Sequence, residues 1–192
     1  MDGILQSLGC EKLISILDLR RGYWQLKMHP EVSADAVFIT PFGLYQFRYM
    51  PFGLKRTPAT LQRLVDCILK SLPYTRAYLE DIIVFSNSFN EHITHTKKVL
   101  TRLRKAGLTL NVEKCKSVQS ENEYRGHKIG NDIITPLREK KEKIRNAAVP
   151  NTKKVRSFLG LVVCYQRFIP NFATITKPLS EVTKKGFLAH IK

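Results

Sequence analysis

The stretch AYLEDIIVF, residues 77–85, places two acidic residues inside an otherwise apolar run. A run of this length and composition predicts a buried β-strand. Glu80 and Asp81 would then lie in the interior, where an unpaired carboxylate costs several kcal/mol. A fold that contains this strand must therefore supply a partner for both acids.

A second apolar run, LISILDL at residues 13–19, carries a lone acid at Asp18 and also predicts a buried strand. If the two strands are neighbours in a sheet, their carboxylates could share divalent cations, which would keep them ionised despite their repulsion. Magnesium takes oxygen ligands from one or two carboxylates and from substrate phosphates. The acids therefore favour a polymerase or a nuclease with two metal ions; ion pairs with arginines are the alternative.

The charge of the chain is unevenly distributed. The 192 residues include 32 Lys and Arg and 16 Asp and Glu, a net charge of +16. Residues 1–96 hold ten basic and nine acidic residues, whereas residues 97–192 hold 22 basic and seven acidic residues. Such a basic half attracts polyanions, of which nucleic acid is the common one. An anionic membrane surface and plain solvation of lysine-rich helices are the alternatives.

Composition predicts an ordinary folded protein, because 43% of the residues are hydrophobic. No apolar run reaches the ~18 residues that a membrane span needs, so no membrane partner is predicted. The four cysteines form no C-x-x-C pair and predict reduced, mostly buried thiols in an intracellular protein. The compartment within the cell stays open.

Apolar spacing predicts several further elements. GLYQFRYM, residues 43–50, alternates as a half-exposed strand does. TPATLQRLVDCILKSL, residues 57–72, has one apolar helical face and predicts an amphipathic helix, with Thr57 as N-cap and Pro58 at its first position. YRGHKIGNDIIT predicts a hairpin that turns at residues 130–132.

A basic helix is predicted at residues 89–106, with Ser88 at its N-cap and Gly107 after its last turn. His92 and His95 lie three residues apart on this helix, but no second pair of ligands accompanies them. They therefore predict exposed helix histidines in preference to a zinc site. Two more helices are predicted near residues 137–147 and 152–168. Together these elements predict an α/β (α+β) sheet domain followed by a smaller helical part.

Five segments of the chain resemble, in order and spacing, consecutive motifs of the reverse transcriptase in gypsy-type LTR retrotransposon (retrovirus-related) Pol polyproteins. These segments are LDLRRGYWQLKMHP, TPFGLYQFRYMPFGLKRTPATLQRLVD, YLEDIIVFS, GLTLNVEKCKS and RSFLGLVVCYQRFIPNFATITKPLSEVTKKG. The resemblance implies a right-hand polymerase fold. Residues 1–130 would form the palm with partial fingers, and residues 131–192 a small helical thumb with the start of the connection.

The same resemblance implies the catalytic residues. Asp18, Glu80 and Asp81 would bind two Mg²⁺ ions, with Mn²⁺ as a substitute, and the backbone carbonyl of Leu19 would be a further ligand. Lys114 falls where the family places a lysine near the triphosphate, a candidate general acid for pyrophosphate release. An ordinary surface lysine is the alternative reading of Lys114.

The resemblance also implies a dNTP and an RNA or DNA template–primer duplex as partners. The residues expected to bind the nucleotide are Leu19, Tyr23, Phe52, Gly53, Lys55 and Tyr78. Tyr23 would be the aromatic gate against a ribose 2′-hydroxyl, and a plain core aromatic is its alternative reading. The residues expected to bind nucleic acid are Tyr124, Gly126, His127, Lys153, Lys154 and Arg156.

Two departures from the family pattern predict impaired RNA-directed DNA synthesis. Glu80 stands where the family has Asp, and its extra methylene moves the carboxylate by roughly 1 Å, which can cost about a hundredfold in rate. The chain also begins shortly before Asp18, so upstream fingers strands are expected to be missing. Ribonuclease H and integrase segments would be further partners in a longer polyprotein. An inactive nucleic-acid-binding relic and a chain that does not fold stably are the alternatives.

Overall fold

The computed structural model of the chain describes residues 11–130, 133–147 and 154–183. Its strands are β1 (Leu13–Asp18), β2 (Val37–Thr40), β3 (Gly43–Gln46), β4 (Thr75–Tyr78), β5 (Asp81–Ser86), β6 (Lys116–Gln119), β7 (Glu121–Tyr124), β8 (His127–Gly130) and β9 (Ile133–Pro136). Its helices are α1 (Pro30–Asp35), α2 (Thr57–Leu69), α3 (Phe89–Lys105), α4 (Arg138–Arg145), α5 (Val155–Val163) and α6 (Phe172–Val182). Short 3-10 turns lie at Gly22–Gln25, Val112–Lys114 and Gln166–Phe168.

The central sheet has the strand order β4-β5-β1-β6, with β1 antiparallel to both β5 and β6. Both faces of its middle strands are covered. Leu17 and Ile82 pack with apolar residues of α2 and α3, whereas Ile14 and Ile83 pack on the other face with Tyr124. Because both faces are buried, these strands read as near-continuous apolar runs and not as alternating ones.

The two central helices form where the spacing predicts them. Ser88 Oγ caps α3 by accepting a hydrogen bond from the Glu91 backbone N–H at 3.4 Å, and Gly107 follows α3 with a positive φ of 72°. The N-cap of α2 was wrongly predicted. Arg56 takes that position, and Thr57 is the first helical residue, with a buried hydroxyl that makes no hydrogen bond.

Two predictions of side-chain exposure are wrong. His92 is completely buried because α3 turns it toward the sheet, where its Nε2 lies 2.7 Å from Ser15 Oγ and its Nδ1 lies 3.1 Å from Ser86 Oγ. Cys67, in α2, and Cys164, which directly follows α5, are exposed, so the prediction of mostly buried thiols is also wrong. Cys10 lies outside the described residues.

The strand predicted at residues 43–50 is shorter and more exposed than expected. β3 pairs with β2 in a two-stranded antiparallel hairpin that is separate from the central sheet. Ile39 and Phe42 of this hairpin are 85% and 90% exposed. The hairpin therefore presents apolar side chains that the described residues leave uncovered.

The chain divides into two compact units. The first contains the described residues up to Tyr124 and those of Lys128–Ile134, and the second contains Arg125–His127 and the described residues from Thr135 on. Strands β7, β8 and β9 form a three-stranded sheet, and the turn between β7 and β8 was not predicted. Asn131 and Asp132 of the predicted hairpin turn lie outside the described residues. In the described part of the chain, no helix is long and apolar enough to cross a membrane.

Candidate active site

Asp18 and Asp81 are direct partners in the antiparallel pairing of β1 with β5, where β1 ends and β5 begins. Directly opposite residues project from the same face of a sheet, so their carboxylates are neighbours. Burial raises the pKa of Asp18 above its ordinary value, the charge of Asp81 raises this pKa further, and the charge of Lys114 opposes both. The two acids therefore form a close pair, with the positive charge of Lys114 nearby.

The run at residues 77–85 is not one strand, as its composition predicted, but a tight hairpin. Tyr78 pairs with Asp81, so Leu79 and Glu80 form the turn between β4 and β5. Leu79 adopts a positive φ of 56°, which is uncommon for a bulky residue. No glycine or asparagine marks this turn, so composition alone predicted a continuous strand. The acids thus lie at or just beyond the ends of the middle strands and not in the middle of a strand.

Gln62 of α2 holds this turn in place. Its side-chain amide donates to the carbonyl of Ala77 at 3.0 Å and accepts from the backbone N–H of Leu79 at 2.8 Å. The same amide donates to Asp66 Oδ1 at 2.9 Å, which orients it. Sequence analysis did not identify Gln62, because a polar residue on a helix carries no signal for a distant backbone partner.

The side chain of Glu80 extends from the turn toward Gly22. A β-carbon placed on Gly22 would lie 3.0 Å from Glu80 Cγ and 3.1 Å from Glu80 Oε1. Glu80 Oε1 is buried and has no hydrogen-bond partner among the described residues. Buried carboxylate oxygens are normally paired, so this oxygen lacks a donor or a cation.

Lys114 lies in the loop that follows α3, and hydrogen bonds tie this loop to Asp18. The Asn111 backbone N–H donates to the Asp18 carbonyl at 2.8 Å, and the Asp18 backbone N–H donates to Cys115 Sγ at 3.5 Å. The amide of Gln25 bridges the same loop to the segment after β1 by donating to the carbonyls of Arg20 and Thr109 at 2.6 and 3.1 Å. Neither Gln25 nor Asn111 was predicted from the sequence.

A cavity of about 630 Å³ is shared by Asp18, Glu80 and Lys114, and Asp81 lies outside its lining. Its lining residues are Asp18, Leu19, Arg20, Arg21, Phe52, Glu80, Leu110, Asn111, Val112, Glu113 and Lys114. Three acidic and three basic side chains thus face one space, next to the exposed ring of Phe52. An opening of this size and charge suits a phosphorylated ligand with a cation.

The donor chemistry of the site fits a divalent metal ion, although the three acids do not form one cluster. Asp18 and Asp81 supply the carboxylate oxygens that magnesium prefers, and Glu80 Oε1 lacks a partner. Among the described residues, no three Asp, Glu, His or Cys side chains are grouped so that they could hold one metal ion. The pair Asp18 and Asp81 could therefore hold a cation with a ligand's phosphates, while Glu80 lies against Gly22.

The other predicted nucleotide-binding residues lie around the cavity opening or apart from it. The rings of Tyr23 and Phe52 meet edge to face with their centroids 5.4 Å apart. Tyr23 also packs against the apolar core below α2. Gly53 and Lys55 are exposed, and Tyr78 is half-buried in β4. Phe52 and Leu19 line the cavity, whereas Tyr23, Gly53, Lys55 and Tyr78 lie outside its lining.

Comparison with protein families identifies the family of the chain. Residues 2–129 match the model of the family described as reverse transcriptase (RNA-dependent DNA polymerase). The chain belongs to the reverse transcriptase family. This confirms the resemblance that the five motifs indicated.

Curated relatives of this reverse transcriptase chain are retrotransposon polyproteins. It is 39% identical to the retrovirus-related Pol polyprotein from transposon 297 of Drosophila melanogaster, over 96% of this chain and 18% of the relative. It is 35% identical to the corresponding polyprotein from transposon opus of the same fly, over 100% of this chain and 19% of the relative. The transposon Tf2-3 polyprotein of Schizosaccharomyces pombe is 30% identical over 96% of this chain and 14% of its own length. The chain thus spans less than a fifth of the curated relatives it matches.

Solved structures show the same fold. The foamy viral protease-reverse transcriptase dRH in complex with ds DNA matches with a TM-score of 0.84 and 29% identity, over 93% of this chain and 32% of that chain. The foamy viral protease-reverse transcriptase in complex with RNA/DNA hybrid matches with a TM-score of 0.81 and 29% identity, over 93% of this chain and 25% of that chain. The chain therefore has the mixed α/β right-hand polymerase fold that was predicted. Its division into a palm at residues 1–130 and a thumb at 131–192 stays a prediction.

The reverse transcriptase segment expected to contact nucleic acid at residues 124–127 is largely interior. Tyr124 and His127 are only 4% and 2% exposed. The His127 ring packs between Tyr165 and Phe168, with centroid distances of 5.3 and 5.6 Å. The side chains of Tyr124 and His127 are thus largely covered by packing, and contact of this segment with nucleic acid stays a prediction.

The remaining predicted nucleic-acid contacts have mixed placements. Gly126 has a positive φ of 83°, and a β-carbon there would lie 2.7 Å from the hydroxyl of Tyr165, so only glycine fits. Lys154 and Arg156 at the start of α5 are exposed, and Arg156 donates to the carbonyl of Thr183 at 3.3 Å. Lys153 lies outside the described residues. Contact of Lys154 and Arg156 with phosphates stays a prediction.

Proposed function

We propose that this chain is the polymerase domain that adds dNTPs to the 3′-hydroxyl of a primer on an RNA or DNA template. The observation that supports this most strongly is the opposition of Asp18 and Asp81, with Asp18 and Lys114 lining a charged cavity, in a chain of the reverse transcriptase family. Carboxylates at the end of neighbouring strands with a cation beside them suit phosphoryl transfer, which requires positioning and electrostatic stabilisation.

Several residues in and beside the cavity have a proposed role. Asp18 and Asp81 would hold the divalent cations, with the Leu19 carbonyl and Glu80 as further ligands. Two bound Mg²⁺ ions would supply a clamp on the attacking and leaving oxygens. Lys114 would neutralise triphosphate charge and give a proton to the departing pyrophosphate. Tyr23, with Phe52 against its edge, would close the sugar side of the nucleotide site.

The proposed macromolecular partner is a template–primer duplex. Solved relatives at 29% identity were determined with ds DNA and with RNA/DNA hybrid. The excess of basic residues after position 96, including the exposed Lys154 and Arg156, supports the same partner for this chain. Polyprotein segments such as ribonuclease H and integrase would accompany the domain in a longer protein.

The side chain at position 80 sets the expected activity. Glu80 reaches past the turn to Gly22, and its extra methylene displaces the carboxylate by about 1 Å relative to Asp, enough for roughly a hundredfold loss of rate. Magnesium requires near-ideal octahedral geometry and tolerates such a displacement badly. The polymerase of this chain is therefore proposed to be impaired in Mg²⁺ and partly restored by Mn²⁺.

An inactive nucleic-acid-binding relic is the second candidate function. The observation that favours it is that, within the described residues, Asp18, Glu80 and Asp81 are not grouped to hold one metal ion. A relic would bind duplex in a strongly salt-dependent manner, because each neutralised phosphate releases counterions. It would not extend primers with any metal.

Primer extension on an RNA template with dNTPs, in Mg²⁺ and in Mn²⁺, separates the two functions. The matched pair is the wild-type chain and Asp18→Asn, with duplex binding measured on both by fluorescence anisotropy. Extension by wild type that Asp18→Asn abolishes, with duplex binding retained, supports the polymerase. Binding without extension in either metal supports the relic.

A further inference from the structure

The outer face of α3 is strongly basic. Residues 97–105, KKVLTRLRK, contain five basic residues and no acidic one. Val99 and Leu103 are buried at 0% and 1% exposure and hold α3 on the sheet. Lys97, Lys98 and Lys105 are exposed on the opposite side. We call these three lysines, together with Arg102, the α3 basic face.

The charges of the α3 basic face are not neutralised within the described residues. The ion pairs found there join His29 to Glu31, Lys128 to Glu121 and Arg138 to Glu142, and none involves this face. Lys98 and Arg102 lie four residues apart, a like-charge spacing that destabilises a helix. A helix that is merely solvated commonly mixes both signs of charge, so this one-sided composition indicates an anionic partner.

The helix dipole explains only part of this composition. Cations in the last turn of a helix are favoured by the partial negative charge there, which accounts for Arg104 and Lys105. Lys97 and Lys98 lie two turns earlier, beyond the reach of that effect. Their presence therefore needs another cause.

A groove also lies along the α3 basic face. A cavity of about 680 Å³ lies along it, lined by Ile93, Lys97, Lys98, Arg102 and Lys105 of α3 and by Leu72, among others. Arg102 donates to the carbonyls of Ile68 and Lys70, which holds its charge at the wall of the cavity. No lining residue is shared with the cavity at Asp18.

We propose that the α3 basic face is a second nucleic-acid site, which binds the sugar–phosphate backbone separately from the cavity at Asp18. The held guanidinium of Arg102 and the three lysine side chains along one groove suit a row of phosphates. Binding of this kind is independent of base sequence. Phe89, Ile93 and Leu100 of α3 are also exposed, and Ile93 lines this cavity, so the test below includes a membrane surface as the alternative anionic partner.

The test compares two triple variants of the full chain. Lys97→Gln/Lys98→Gln/Lys105→Gln removes three charges from the α3 basic face, and glutamine preserves helix propensity. The control Lys12→Gln/Lys27→Gln/Lys116→Gln removes the same charge from exposed lysines that line none of the described cavities. Binding of a fluorescein-labelled single-stranded RNA of mixed sequence is measured by anisotropy over a salt series, after circular dichroism has shown that both variants fold.

Removal of three phosphate contacts should reduce the magnitude of the negative slope of log K against log salt by about 2, at roughly 0.7 per contact for a single strand. The control triple should change the slope by clearly less. Equal changes in the two triples, or no change in the first, would overturn the proposal. Loss of binding to phosphatidylserine vesicles without loss of RNA binding would overturn it in favour of a membrane.

A footprint on the wild-type chain makes the test independent of variant folding. Acetylation of lysines with and without the RNA, read by mass spectrometry, should show protection of Lys97, Lys98 and Lys105. Unprotected lysines at these positions in a chain that binds RNA would contradict the second site. Neither readout depends on primer extension, so failure of the polymerase function would leave this result intact.

Discussion

Glu80 and Gly22 are in contact across the candidate active site, since a β-carbon on Gly22 would lie 3.0 Å from Glu80 Cγ. The glycine thus leaves the space that the longer acid occupies. This contact couples the 3-10 turn that begins at Gly22 to the β4–β5 hairpin that carries Glu80. A larger residue at position 22 is therefore expected to cost less stability when the acid at position 80 is shorter.

Gly22→Ala should destabilise the wild-type chain by about 1–2 kcal/mol, because the new methyl overpacks against Glu80 and Leu61. The same substitution should cost less in a Glu80→Asp background, where one methylene is absent. Urea unfolding of the two single variants and the double variant measures the coupling. Strictly additive free energies of unfolding would contradict the contact.

Gln62→Leu should loosen the β4–β5 turn. It removes the acceptor of the Leu79 N–H and the donor to the Ala77 carbonyl, and unsatisfied buried groups of this kind cost about 1–3 kcal/mol. Gln62→Glu, which keeps an acceptor for Leu79, should be milder. Urea unfolding measures both; equal stability of Gln62→Leu and wild type would show that Gln62 does not hold the turn.

Asp18→Asn should stabilise the metal-free protein near neutral pH. Burial and Asp81 hold the pKa of Asp18 above its ordinary value, so the folded state retains a proton that the unfolded state releases. Stability therefore falls as pH rises from the ordinary pKa through the raised one. In EDTA, the melting temperature of Asp18→Asn should rise relative to that of wild type as pH increases over that interval.

The control for this pH effect is Asp35→Asn, at an exposed position in α1. It should follow the wild-type pH profile. Added Mg²⁺ should raise the melting temperature of wild type more than that of Asp18→Asn, because a ligand that binds only the folded state stabilises it. The same rise in both proteins would place the metal elsewhere.

His92→Gln should reduce the loss of stability in mild acid. Burial lowers the pKa of His92, and the neighbouring His95 lowers it further, so the folded state disfavours the proton. The unfolded state takes up that proton as pH falls through about 6.5, and stability is lost from there downward. Urea unfolding between neutral and mildly acidic pH checks this, with His29→Gln on the surface as control.

Local patterns predicted the elements of the fold that depend on nearby residues. The apolar face of α2 and the Ser88 cap of α3 are such elements, and both formed where the spacing placed them. The burial of His92 was missed because its partners Ser15 and Ser86 are far away in sequence. Polar residues on a helix give no local sign of such pairing.

In the candidate site, too, the sequence predicted some features and missed those that depend on distant residues. The motifs identified Asp18, Glu80 and Asp81, but they did not reveal that Leu79 turns the chain with a positive φ or that Gln62 supports it. Tyr124 is predicted to touch nucleic acid, and the motif did not reveal that its side chain packs in the core. Motif position indicates which residues matter, while burial decides whether a side chain can reach a ligand.

The most direct test is single-turnover primer extension by wild type, Glu80→Asp and Asp18→Asn, on one RNA template in Mg²⁺ and in Mn²⁺. We predict that Glu80→Asp extends primers about a hundredfold faster than wild type in Mg²⁺, that the difference narrows in Mn²⁺, and that Asp18→Asn is silent. Extension by wild type at the rate of Glu80→Asp in Mg²⁺ would contradict the account, because the longer acid would then hold the metal as well as aspartate does.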